Sequence, residues 1–145
     1  MIAPMRKILS IASAALLAGA CATFPDSLTL RVEPRNYSPA MSSTIGIGLT
    51  PVFSPPAGTS FTYRWHADFG YFAAWAASGK VAPLGPETES GDGTLYWTYD
   101  ARLTSDRKPV VTIVVEAAER DTGRVLASKK IKLDWDRDTA HIRED

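Results

Sequence analysis

Apolar and polar residues alternate with a period of two along most of this chain, the pattern of strands that bury one face. In residues 27–33, Leu28, Leu30 and Val32 alternate with Thr29, Arg31 and Glu33, and Pro34 ends the run. In residues 44–49, Ile45, Ile47 and Leu49 alternate with Gly46 and Gly48. Glycines there leave room for a close neighbour, such as a bulky aromatic from a facing strand. Residues 51–59 contain Pro55-Pro56-Ala57-Gly58, a turn signal. Residues 60–67 set Phe61, Tyr63, Trp65 and Ala67 against Thr62, Arg64 and His66. Residues 68–75 are aromatic and predict a short strand or an edge.

The second half repeats the alternation with longer interruptions. Residues 76–93, with Pro83, Pro86 and four glycines, predict a long loop. Residues 94–99 form a strand pattern with Leu95, Trp97 and Tyr99 on one face, and residues 100–108 a polar connection. The β-branched run 110–118 predicts a central strand. Residues 119–123 supply a turn ending in Gly123, where a positive φ is wanted. Residues 124–135 return with Val125, Ala127, Ile131 and Leu133 on one side and Lys130, Lys132 and Asp134 on the other. Residues 136–145 have no core pattern and predict a frayed polar tail.

The first twenty residues break the pattern. Arg6 and Lys7 precede an apolar stretch, residues 8–17, followed by Ala18-Gly19-Ala20. A basic start, an apolar run and a small-residue end make a secretory signal, and the run is too short to span a bilayer. Cys21, the chain's single cysteine, follows directly. It cannot form an internal disulfide. Ala18-x-Ala20 also fits an ordinary signal-peptidase site, which would leave a secreted protein with a terminal thiol. The residues ending in Cys21 resemble the bacterial lipobox. That resemblance implies cleavage after Ala20, a lipid-bearing Cys21 carrying palmitate-type acyl chains, and a short tether over residues 22–26. Ala22 in place of aspartate is similar to the outer-membrane pattern of Gram-negative families.

What remains after residue 20 is long enough for one domain with its own core. Arg6 and Lys7 leave with the signal, so 14 basic residues face 16 acidic ones, a net charge of −2. No basic stripe exists, which argues against a nucleic-acid partner. Lys129, Lys130 and Lys132 are the one basic cluster, expected on a solvated strand face. About seven strands at intervals of roughly ten residues predict an all-β, two-sheet sandwich over residues 27–135.

Tyr63-Arg64-Trp65, followed by Asp68-Phe69-Gly70, is similar to the hallmark of immunoglobulin-like PKD-type domains. Residues 110–123 resemble that family's penultimate strand and turn, and residues 95–99 add to the match. The resemblance implies an immunoglobulin-like fold with Trp65 in the core, serving as a spacer, adhesion or protein-contact module.

The chemistry-bearing residues are sparse. A nucleophile needs a base in reach, and the two histidines, His66 and His141, fall on an outward strand face and in the predicted tail. Ser90 and Ser105 lack a glycine-framed elbow. No enzyme and no cofactor is expected. Asp134, Asp136 and Asp138 are spaced like the first ligands of a calcium loop, but Thr139 stands where the loop needs glycine. Tyr71, Phe72 and Trp75 are the candidate binding surface, with Tyr71 and Trp75 expected to stay partly exposed. The expectation is a membrane-anchored cell-envelope lipoprotein with a non-catalytic, protein-contacting or structural domain. A carbohydrate- or peptidoglycan-binding lipoprotein using the aromatic cluster is the alternative.

Overall fold

The structure, a computed structural model, describes residues 28–143. The signal segment 1–20, Cys21 and the tether 22–26 lie outside the described residues. The described chain is all-β apart from one short 3-10 segment, Ala101–Asp106. Its strands are β1 (Thr29–Val32), β2 (Asn36–Tyr37), β3 (Ile47–Val52), β4 (Phe61–Ala67), β5 (Tyr71–Trp75), β6 (Val81–Gly85), β7 (Glu87–Ser90), β8 (Leu95–Thr98), β9 (Val111–Glu119), β10 (Val125–Asp136) and β11 (Thr139–Ile142).

Two antiparallel sheets pack as a sandwich. The first runs β1-β3-β8-β5-β6 and the second β2-β11-β10-β9-β4-β7. The alternation fixes which side chains face inward. Ile47, Leu49, Phe72, Leu95, Trp97 and Tyr99 come from the first sheet, and Tyr63, Trp65, Val111, Ile113, Val115 and Leu133 from the second; all are buried. Trp65 meets Phe72 across the layers, with ring centroids 5.6 Å apart. At one end Trp135 packs edge-on against Tyr99 at 4.9 Å. Its indole donates to the Lys108 carbonyl at 2.8 Å, and the Arg107 guanidinium lies 4.5 Å from its ring.

The segment Asp68-Phe69-Gly70 builds the corner that carries the chain from β4 in the second sheet to β5 in the first. Asp68 accepts the Thr112 backbone N–H at 2.9 Å, tying the corner to β9. The Phe69 carbonyl accepts the Trp97 indole N–H at 2.8 Å. Gly70 has φ +77, and a Cβ there would lie 2.5 Å from the Thr98 carbonyl oxygen. The corner therefore admits only glycine.

Several expectations change. Among the described residues there are eleven strands rather than about seven: β2, β6, β7 and β11 are added, and the chain switches sheets between β1 and β2 and between β6 and β7. Glu33 still pairs with Gly48 in the first sheet, while the Arg35 carbonyl already accepts Ile142 N–H in the second. The predicted loop 76–93 contains β6 and β7, which cross between the sheets at Gly85 and Pro86. Both are edge strands, where proline removes no ladder bond. The predicted frayed tail contains β11, which sits between β10 and β2 and buries Ala140 fully. β5 is an interior strand, flanked by β8 and β6. Gly46 and Gly48 do have close neighbours, but these are the backbone carbonyls of Trp97 and Glu33 rather than an aromatic ring.

Candidate interaction surfaces

The three predicted aromatics do not act together. Successive residues of a strand point to opposite faces. Phe72 is buried in the core, so it is withdrawn from the candidate surface. Tyr71 and Trp75 point outward, Tyr71 half-buried and Trp75 56 % exposed. Between them Ala73 also points outward, yet it is fully buried. Its neighbours on that face are Tyr71 and Trp75 along the strand, and Tyr96 and Pro83 across it. These larger side chains close over the small one.

Register extends this into a continuous surface. Trp75 is opposite Val81, and Thr50 is opposite Arg31. The Thr50 and Thr94 hydroxyls are 2.7 Å apart. The β5–β8 register, carried two residues past Ala73 and Tyr96, puts Thr94 beside Trp75. Arg31, Thr50, Thr94, Trp75 and Val81 thus form one row across the outer face of the first sheet. Trp75, Val81 and Leu84 are its exposed large hydrophobics near the β6 edge.

The two faces differ in charge. The strands of the first sheet contain a single charged residue, Arg31, whereas those of the second contain ten. An antiparallel sheet with one wet face ordinarily carries polar residues outward. The second sheet obeys that rule and the first does not. Charge depletion around exposed aromatics is the compositional mark of a contact surface.

The outer face of the second sheet is charged and dished. Arg64 stands between Glu89 on β7 and Glu116 on β9. Its guanidinium donates to the Gly123 carbonyl at 3.1 Å and lies 3.5 Å from Glu116. Its Nε is enclosed without a hydrogen-bond partner among the described residues. His66 Nδ1 is 3.1 Å from Glu87 Oε1, and both side chains are well exposed. Shallow depressions of about 390, 330 and 290 Å³ lie on this face, and Arg64 lines each. Lys129, Lys130 and Lys132 are exposed on β10, as expected.

The remaining candidates are placed as follows. Asp134 faces Arg143 at 3.8 Å, and Asp138, in the β10–β11 turn, faces Arg107 at 3.8 Å. Among the described residues no three acidic, histidine or cysteine side chains gather as a metal site. His141 lies on β11 opposite Asp134, not in a loose tail. Ser90 Oγ accepts the Trp65 indole N–H at 2.8 Å, a structural task. Burial, then the Asp138 carboxylate and Tyr37, push the Tyr99 hydroxyl above its ordinary pKa, and burial followed by Asp92 does the same to Tyr63. Both hydroxyls stay neutral at physiological pH. Among the described residues no helix is long and apolar enough to cross a membrane.

No protein-family model, curated protein or solved structure matches this chain.

Proposed function

We propose that this chain is a lipid-anchored cell-envelope lipoprotein whose immunoglobulin-like, PKD-type domain is a non-catalytic protein-contacting or structural module. The observation that carries the module reading is the outer face of the second sheet. Its depressions are shallow, and Arg64, Glu87, Glu89 and Glu116 all line one of them. Small-molecule sites are typically enclosed and largely apolar. A broad charged surface instead suits a second protein, with charge setting register and encounter rate. The anchor reading rests on the signal-like residues 1–20 and on Cys21, which favour a membrane surface, the outer membrane in a Gram-negative cell.

The anchor is tested by fractionation. Wild-type protein should sediment with membranes and carry acyl mass on Cys21, and Cys21→Ala should move to the soluble fraction. A variant that stays with the membranes would sink the anchor. The module is tested with a photo-cross-linking residue at position 87. Discrete protein adducts that disappear on Glu116→Lys support it, and an adduct-free result removes it. The carbohydrate-binding alternative loses Phe72 to the core and keeps only Tyr71 and Trp75 of its three aromatics.

A further inference from the structure

We propose that the outer face of the first sheet rests on the lipid surface that holds Cys21, so that the domain lies on the membrane along this broad side. The inference depends on the lipid-anchor reading. The first observation is the tether. Leu28, the first described residue, is 1 % exposed and lies only seven positions after Cys21. A chain of that length reaches at most about 24 Å. It runs directly into β1, the edge strand of the first sheet. Five strands spaced about 4.8 Å apart put β6 about 19 Å from β1. The whole face can therefore lie against a bilayer while Cys21 stays within it.

The second observation is charge. Phosphate headgroups attract arginine and lysine and repel carboxylates. The sole charged residue in the strands of this sheet is the cationic Arg31; the exposed Glu33 follows one residue past β1, and Lys80 is exposed in the turn between β5 and β6, so two cations stand against one carboxylate. The opposite face presents Glu87, Glu89 and Glu116. Laying the second sheet down would press those carboxylates into the headgroups. Laying the first sheet down places Trp75 beside Val81 at the interface, where indole rings are favoured. It also leaves the charged face pointing away from the membrane, toward a protein partner.

The test uses the acylated full chain in phosphatidylethanolamine–phosphatidylglycerol vesicles, with and without brominated acyl chains. Trp65 and Trp97 are buried in the sandwich. Bromolipid should quench tryptophan emission, and Trp75→Gln should reduce that quenching about twofold or more. Val81→Glu should also reduce it while leaving the melting temperature unchanged. Equal quenching in wild type and Trp75→Gln, with both chains floating with the vesicles, overturns the face assignment and leaves the anchor standing. A chain with no acyl mass on Cys21 overturns both. Disulfide-linked dimers of Val81→Cys in the same vesicles would assign the face to a second copy instead.

Discussion

Two glycines with nearly the same backbone angle separate local strain from packing. Gly70 has φ +77 and Gly79 has φ +78. A Cβ at Gly79 meets nothing within 4 Å, whereas at Gly70 it would meet the Thr98 carbonyl oxygen at 2.5 Å and Trp97 Nε1 at 2.8 Å. Gly79→Ala should therefore cost only the left-handed penalty, about 1 kcal/mol. Gly70→Ala should cost at least about 2 kcal/mol more, because the corner must open and the Trp97–Phe69 bond with it. Urea denaturation of the two variants measures the difference, and equal costs would refute the packing account. Tyr99 gives a pH prediction. Its hydroxyl donates to the Asp138 carbonyl, and its raised pKa keeps it neutral in the fold. As pH rises, the unfolded chain ionises first, at about pH 10. Stability should hold below that value and fall above it. Tyr99→Phe should cost about 1 kcal/mol near neutrality and make the fall between about pH 9 and about pH 11 shallower.

At the scale of elements, legibility followed how each strand finds its partners. β4 and β8 carry enough alternation to bury a face unaided, so their inward residues could be read directly, while the β-branched run of β9 was legible as a central strand. Trp65 and Asp68-Phe69-Gly70 were legible as a motif, but the sheet-to-sheet corner depends on Thr112 and Trp97, partners distant in sequence. β6 and β7 were hidden by Pro83, Pro86 and Gly85, which signal a loop in a central position and are tolerated at an edge. With β6 hidden, the cross-strand pair Trp75–Val81 was hidden too. Sheet membership cannot be read from alternation, so the charge-poor face could not be assembled. β11 was hidden for a related reason. Its four residues, Thr-Ala-His-Ile, are too few to show a period, and its place comes from β10 and β2 on either side. Truncation after Asp136 tests this. A frayed tail would be dispensable. Loss of β11 instead uncovers Tyr37 and Leu133 and strips both neighbours of backbone bonds, so it should cost at least about 2 kcal/mol. An unchanged melting temperature would show that β11 contributes nothing.

The whole molecule has no internal covalent staple, since Cys21 is its one cysteine. The sandwich is held by packing between sheets, and Trp65 against Phe72 is one of the aromatic pairs that join them. Trp65→Ala should cost about 3–5 kcal/mol, the range for removing a buried aromatic. In the proposed arrangement the tether meets the sandwich at Leu28, the first described residue, which is already buried. Location and stability should therefore respond to different residues. Cys21→Ala should change where the protein fractionates and leave its melting temperature where it was. Leu28→Ala should do the reverse: the side chain is 1 % exposed, and its loss should cost about 2–4 kcal/mol while the protein stays with the membrane. Fractionation and thermal melting on both variants read the two properties independently. If Leu28→Ala released the protein from membranes without unfolding it, the first strand would belong to the anchor rather than to the core. The separation of tether from sandwich would then be wrong.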